Sequence, residues 1–347
     1  MACYHPLVGL AYGPDLDGKF SVFIKPQGYD YEMLERIQPN KVFDLPCGHC
    51  IGCRQDQSKE WSNRLIMESL YHDFTHFVTL TYCDEYAPIG KSFSDPETGE
   101  LKQMLTLRKR DIQLFMKRLR KKYSDSRIRF YFAGEYGDQT NRPHYHGIIF
   151  GLPENKMQFI PCGKSQTGNP YFRCPDIESV WTATDRPLGC NAQAAKQGMS
   201  ADLLGFVSVE PANFYTMKYV CAYVTKKLGA HPNEVYIRTG REAPFSLSSR
   251  KPGIGLQYLE EHPDVMKDDK IIIAGPTGKV EFAPPRYFKK KFKDSSPDEY
   301  QEIADRHLKA AADRLSAELS RTDLSKEDYL KVKEDNHLSR LRSRNKI

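Results

Sequence analysis

Apolar and polar side chains alternate through Phe77-Val78-Thr79-Leu80-Thr81-Tyr82, a β-branched run that predicts a strand. Before it, residues 55–72 carry Trp61, Leu65, Ile66 and Leu70 on one side of a predicted helix. Residues 83–104 read as a loop. A second helix is predicted over 106–122, with Thr106 as N-cap and Ile112, Phe115, Met116 and Leu119 at i, i+3, i+4 and i+7. Residues 127–135 and 143–151 read as strands joined by the turn-rich Gly137-Asp138-Gln139-Thr140-Asn141-Arg142, hence as a hairpin. After a long loop over 152–200 come a strand at 205–209 and a helix at 213–228, stopped by Gly229. This order predicts an α+β fold, a sheet with helices packed on it.

The two ends differ from this middle. Residues 1–53 look irregular and close on Pro46-Cys47-Gly48-His49-Cys50-Ile51-Gly52-Cys53. Near the other end, Ser296-Pro297-Asp298-Glu299 and Ser325-Lys326-Glu327-Asp328 are N-terminal signatures of two charged helices, 297–320 and 326–343. The predicted organisation is a Cys-rich segment at 1–54, a main domain at 55–290 with the inserted loop 152–200, and a helical extension at 291–347.

With 347 residues, 39% of them hydrophobic and 12% aromatic, the chain can build a substantial core and is not generally disordered. Its net charge of +6 is mild, but residues 106–130 hold ten Lys or Arg against two acids. That segment alone carries +8 and leaves −2 for the rest, a concentration that suits a polyanion. Arg108, Lys109 and Arg110 fall in the first helical turn, where cations oppose the helix dipole unless a phosphate docks there. With Lys117, Arg118, Lys121 and Arg142 they are the candidate DNA-binding residues. No apolar run is long enough to span a membrane, and MACYHPLVGL lacks the features of a signal peptide, so no membrane partner and a cytoplasmic location are expected.

The sharpest chemical signal is His144-Tyr145-His146. On a strand both imidazoles project from one face and Tyr145 from the other, and in the predicted hairpin Glu135 lies beside them. Two imidazoles and a carboxylate suit Mg²⁺, Mn²⁺ or another divalent ion, although an isolated pair of histidines on a sheet equally well just faces solvent. The second signal is Tyr219-Val220-Cys221-Ala222-Tyr223-Val224-Thr225-Lys226. At about 100° per residue, Tyr223 falls about 40° from Tyr219 and Lys226 about 20° to its other side, so two phenols and a lysine share one helical face. A phenol of ordinary pKa about 10 needs nearby positive charge to become a nucleophile, and tyrosines at i and i+4 also serve as plain helix packing.

Residues 77–82, His144-Tyr145-His146 and Tyr219-xxx-Tyr223-xx-Lys226 together resemble, in order, the three motifs of the HUH rolling-circle replication initiators. The Cys-rich start, Arg142-Pro143-His144-Tyr145-His146-Gly147 and Ser249-Arg250-Lys251-Pro252-Gly253-Ile254-Gly255 further resemble the initiators of microviruses, the gokushovirus group especially, over about residues 1–290. The resemblance implies an HUH endonuclease-like antiparallel sheet and a nickase acting on single-stranded or origin DNA in the cytoplasm of a bacterial host. It implies His144, His146 and Glu135 as ligands of Mg²⁺ or Mn²⁺. It also implies Tyr219 and Tyr223 as the nucleophile pair, a 5′-phosphotyrosine intermediate, a free 3′-OH primer and later strand rejoining. Lys226 follows Tyr223 by three residues whereas Ala222 follows Tyr219, which ranks Tyr223 first. Cys162-Gly163-Lys164-Ser165 and Gly275-Pro276-Thr277-Gly278-Lys279-Val280 both miss the P-loop spacing, so unwinding and synthesis fall to a host helicase and DNA polymerase.

Cys47, Cys50 and Cys53 are spaced C-x2-C-x2-C, and Cys3 or His5 can supply a fourth ligand. Zn²⁺ on Cys3, Cys47, Cys50 and Cys53 is the preferred reading, with an iron–sulfur cluster and plain reduced thiols as alternatives. Two other functions fit parts of the pattern. One is a non-catalytic, zinc-stabilised DNA-binding regulator; the other is a metal-dependent RNA or small-phosphate hydrolase that has no use for the tyrosines. The basic cluster at 286–293, with Tyr287, Phe288 and Phe292 interleaved, reads either as a contact for single-stranded DNA or as a solvated linker.

Overall fold

The computed structural model describes residues 3–12, 21–24, 42–164, 168–183, 202–226 and 232–344. The chain forms two compact units, one of residues 58–300 and one of residues 1–57 together with 301–347. The cysteine-rich and helical end segments thus fall in the same unit.

In the smaller unit the segment read as irregular contains three short strands, β1 (Leu7–Tyr12), β2 (Ser21–Ile24) and β3 (Val42–Leu45). They form an antiparallel sheet of order β2-β1-β3, with Leu10 and Val42 buried. The helix after the cysteines, α1 (Ile51–Ser69), starts four residues earlier than the apolar pattern predicts.

The larger unit is built on a seven-stranded antiparallel sheet. Its strands are β4 (Thr75–Thr81), β7 (Arg129–Tyr136), β8 (Pro143–Phe150), β9 (Ile160–Lys164), β10 (Pro170–Arg173), β11 (Val207–Pro211) and β12 (Phe245–Ser248), in the order β12-β7-β8-β4-β11-β10-β9. The predicted hairpin is β7–β8. The loop expected over 152–200 instead supplies β9 and β10, a bulged pair at the sheet edge. They carry Pro, Gly and Cys and are largely exposed, so their strand character comes from pairing and not from local alternation. The loop expected over 83–104 likewise holds a ribbon of β5 (Phe93–Ser94) and β6 (Leu101–Lys102).

Helix α2 (Lys109–Lys122) covers one face of the sheet. Its Ile112, Phe115, Met116 and Leu119 are buried with Val78, Leu80, Phe132, Tyr145, Ile149, Val209 and Trp181. The N-cap is Arg108 and not Thr106, because the Thr106 hydroxyl is engaged in accepting the Glu242 N–H at 2.8 Å. Short α3 (Pro175–Glu178) adds Ile177 to this layer. The opposite face carries α1, whose Trp61 lies 4.9 Å from the Tyr131 ring, and α4 (Phe214–Lys226). Asn213 caps α4 by accepting the N–H groups of Tyr215 and Thr216 at 2.9 and 3.0 Å. The expected stop at Gly229 lies outside the described residues. The unit continues through α5 (Pro232–Arg238), α6 (Leu256–Glu261), α7 (Val265–Asp268), the hairpin of β13 (Ile271–Gly275) and β14 (Gly278–Phe282), and α8 (Arg286–Ser295). The segment read as a basic linker is therefore a helix, held by buried Phe288 and Phe292 at i, i+4 spacing.

Buried polar residues of α1 grip the backbone of Ser249-Arg250-Lys251-Pro252-Gly253-Ile254-Gly255. The Arg64 Nε donates to the Ile254 carbonyl at 3.0 Å, the Gly255 N–H donates to Glu68 at 2.6 Å, and Arg129 pairs with Glu68 while donating to the Pro252 carbonyl at 2.9 Å. Gly255 sits at φ +76°, and a Cβ on Gly253 would meet the Tyr287 hydroxyl at 2.3 Å, so these two glycines are required by conformation and by close approach respectively. Burial works against ionisation of Glu68, but the hydrogen bonds from His72 and Gly255 and the charge of Arg129 prevail and hold the carboxyl below its ordinary value. The stability it contributes is fully present above the unfolded value of about 4.3 and is lost as pH falls through the lower folded value. Glu68→Gln is expected to cost about 3–5 kcal/mol, because it leaves Arg129 buried without its counter-charge. Urea melts between pH 3 and 7 check this: the gap between variant and wild type must close toward acid.

In the smaller unit, α9 (Pro297–Leu319) and α10 (Lys326–Arg344) match the predicted charged helices. Tyr329 and Lys333 both reach Glu318, at 3.0 and 2.8 Å. The residues that follow Cys3 hold α10: the Tyr4 hydroxyl meets His337 Nδ1 at 2.8 Å and His5 meets Glu334 at 2.5 Å, while Lys326 pairs with Asp44 of β3 at 2.7 Å.

Candidate active site

Three central strands build the site. The β7–β8 register sets Glu135 opposite His144 and Ala133 opposite His146, and the β4–β8 register sets Thr79 opposite His146 and Thr81 opposite His144. Paired residues share a face, so Glu135, His144, His146 and Thr79 project together, away from α2.

His144 Nε2 and His146 Nε2 converge on the same oxygen, Glu135 Oε1, at 2.8 and 3.2 Å. Their other nitrogens are anchored. His144 Nδ1 lies 3.1 Å from the Arg142 carbonyl, and His146 Nδ1 lies 3.0 Å from the Thr79 hydroxyl. A carbonyl only accepts, so His144 carries its proton on Nδ1 and presents the Nε2 lone pair to the site. Glu135 is 2% exposed, and its second oxygen, Oε2, is buried without a hydrogen-bond partner. Lone pairs and a buried carboxylate crowded on one point, with outer partners fixing the rings, fit a divalent cation.

Burial opposes ionisation of Glu135, but hydrogen bonds from His144 and His146 outweigh it and keep the carboxyl below its ordinary value. Burial also pushes His146 down against the pull of Glu135, which favours the neutral, ligating imidazole. His146 is sandwiched between aromatic rings. Phe77 stacks on it at 5.5 Å and 14°, and Tyr219 meets it edge-on at 5.5 Å while also touching Phe77 at 6.0 Å. Tyr219 keeps 44% of its surface exposed, so its phenol is open to an incoming molecule. Helix α4 runs through Tyr223 and Lys226, whose side chains lie outside the described residues.

The basic residues distribute differently from the expectation of one DNA-binding face. Helix α2 lies behind the sheet, so Lys117, Arg118 and Lys121 are not brought to the histidines. Arg118 donates to the Val180 and Thr182 carbonyls at 3.3 and 2.9 Å, and Lys109 pairs with Glu242. Arg108 pairs with the buried Asp111 at 3.1 Å, whereas Arg110, Lys117 and Lys121 are exposed. Arg142 does lie at the site's rim, where it pairs with Asp84 and donates to the Tyr82 carbonyl at 3.0 Å.

Pattern reasoning missed Thr79 and Phe77 as partners of His146. It also missed the network behind the site, in which the Tyr145 hydroxyl accepts the Arg108 N–H at 2.8 Å and meets the Tyr82 hydroxyl at 2.9 Å, while Tyr82 donates to Asp111. The signal for Thr79 lay in the alternation Phe77-Thr79-Thr81, but reading it required knowing which strand pairs with β8.

The four cysteines form the second cluster. The sulfurs of Cys3, Cys47, Cys50 and Cys53 all lie within 4.8 Å of one another, with Cys3–Cys50 and Cys47–Cys53 both at 4.0 Å. Backbone N–H groups point at them: Cys47 at Cys3 (3.3 Å), Cys50 at Cys47 (3.3 Å), and Tyr4 and Cys53 at Cys50 (3.4 and 3.5 Å). Burial pushes the Cys3 thiol up to about 11. Burial also opposes ionisation of Cys50, but its N–H donors prevail and bring it down to about 7. These separations are twice a disulfide bond length of about 2.05 Å.

Known proteins match the chain widely. One is the replication-associated protein ORF2 of Spiroplasma virus 4, 29% identical over 317 residues, covering 86% of this chain and 83% of that protein. Another is the replication-associated protein VP4 of Bdellovibrio phage phiMH2K, 27% identical, covering 81% and 77%. A third is the replication-associated protein ORF4 of Chlamydia phage 1, 28% identical, covering 71% and 53%. No solved structure matches. The family model for replication-associated protein ORF2 matches residues 75–228. That span opens on the first residue of β4 and takes in β7, β8, β11 and α4, every element that carries the histidine site, and the chain belongs to the replication-associated protein ORF2 family.

Proposed function

We propose that this protein starts replication as an HUH-type endonuclease, cutting single-stranded or origin DNA by attack of a tyrosine on a phosphodiester. The observation that carries this reading is the Tyr219 ring lying against His146, with Glu135 and His144 completing the convergent group beside it. Glu135, His144 and His146 would hold Mg²⁺ or Mn²⁺, which supplies Lewis-acid polarisation of the scissile phosphate. The tyrosine hydroxyl loses its proton to solvent as its oxygen bonds to phosphorus, and the bond from phosphorus to the 3′-oxygen breaks. That oxygen takes up a proton and becomes the free 3′-OH primer, while the 5′ end stays on the tyrosine as a phosphotyrosine. The reverse attack by a 3′-OH rejoins the strand without ATP. Helicase and polymerase come from the bacterial host, in whose cytoplasm the protein would act. No helix among the described residues is long and apolar enough to cross a membrane.

The cysteine cluster is proposed to hold a structural Zn²⁺. A tetrahedron of Zn–S bonds near 2.3 Å has edges of about 3.8 Å, close to the observed 4.0 Å. An iron–sulfur cluster would fill the centre with its own atoms and hold the thiolates further apart.

The test is to mix protein, Mn²⁺ or Mg²⁺ and end-labelled single-stranded DNA of origin-like sequence and look for a denaturation-resistant adduct. The contact with His146 favours Tyr219 for the first cut, reversing the ranking drawn from the Lys226 spacing. Tyr219→Phe is expected to lose most of the first-turnover adduct, Tyr223→Phe to keep it, and the double variant to have none. Equal loss from both single variants would refute the asymmetry. DNA binding without adduct under any metal would favour the non-catalytic regulator.

A further inference from the structure

The row of side chains across the site runs on past the histidines. Glu135 pairs with His144 and His144 with Thr81. Thr81 is bonded to Phe206 in both directions: the Thr81 N–H donates to the Phe206 carbonyl at 3.0 Å, and the Phe206 N–H donates to the Thr81 hydroxyl oxygen at 3.1 Å. These bonds extend the β4–β11 ladder one pair beyond Leu80–Val207. Leu80 and Val207 fill the core on the α2 side, so Phe206 stands on the histidine face, two strand spacings or about 10 Å from His144.

Its exposure is out of keeping with its neighbours. Phe206 is 39% exposed, whereas Phe132 and Phe150 of the same sheet are fully buried. Its backbone is fixed all the same, because a Cβ on the preceding Gly205 would meet the Thr81 carbonyl oxygen at 2.1 Å, so the chain is pressed flat against β4. A rigidly mounted, half-open aromatic ring next to a phosphate-handling site suits a π-faced partner. Unpaired bases offer such faces, and a duplex keeps them stacked inside.

We propose that Phe206 is a base-stacking platform, taking one unpaired nucleobase of the strand whose phosphate lies at Glu135, His144 and His146. This rests on the endonuclease reading and deepens it, since it makes an unpaired strand the substrate at that point.

The test measures binding, with the full chain, no divalent metal added, and three labelled probes: dT12, a 12-unit abasic deoxyribose-phosphate chain, and the dT12·dA12 duplex. The preference for dT12 over the abasic chain is expected to fall roughly 5- to 100-fold in Phe206→Ala. It should persist in Phe206→Trp, with duplex affinity the same in all three proteins. An unchanged preference in Phe206→Ala overturns the proposal, and so does an equal loss on the duplex. The two readings fail separately. A preference lost in Phe206→Ala without any covalent adduct would sink the endonuclease and leave the platform, whereas an adduct with an unchanged preference would do the reverse.

Discussion

Glu135→Gln is expected to bind single-stranded DNA about as well as wild type yet form the covalent adduct on the order of a thousandfold more slowly. The carboxylate is the sole negative charge in a buried group whose other two members are neutral imidazoles, and one of its oxygens has no hydrogen-bond partner. An amide of the same shape removes that charge and directs N–H donors at His144 and His146, occupying the lone pairs that a cation needs. Single-turnover assays across a range of Mn²⁺ concentrations check this. Partial recovery at high metal would assign the loss to metal affinity. A wild-type rate at low metal would remove Glu135 from the site.

Removing the metal proposed at the cysteines should have an effect of another kind. Structural zinc contributes about 10–16 kcal/mol in small zinc-binding peptides, against a typical domain stability of about 5–15 kcal/mol, so the smaller unit should unfold outright. Treatment with a strong chelator, or Cys50→Ser, is expected to abolish amide-exchange protection in residues 3–12 and 42–50. Protection in α10 should fall with it, because Tyr4 and His5, which hold that helix, directly follow Cys3. The strands of the larger unit should keep theirs. Full protection after chelation, together with a native mass lacking zinc, would refute the structural-metal assignment.

Much of the site was legible because it sits on a local hairpin. Turn residues between two alternating segments fixed β7–β8, and that pairing alone brings Glu135 beside His144. Thr79 and Phe77 were out of reach, since the pairing of β4 with β8 is a long-range choice that no local pattern encodes. The edge strands β9 and β10 were read as loop for a related reason: they are short and exposed, and the sheet recruits them. The helix at Arg286–Ser295 is a different case, because Phe288 and Phe292 advertised it by spacing and the lysines around them drew attention to charge instead. The basic run of α2 was legible as a helix, but only packing decides which side of a sheet a helix covers, and it covers the side away from the histidines.

The smaller unit is discontinuous in the chain, its two stretches separated by residues 58–300. During synthesis the ribosome therefore delivers the cysteines first and α10 last, with the whole seven-stranded sheet emerging between them. Domains fold as units while the chain grows. The catalytic unit can thus finish folding while the amino-terminal strands still wait for their helix. The metal ligands spend that interval without it, and the unit that contains them is completed only at the end of translation.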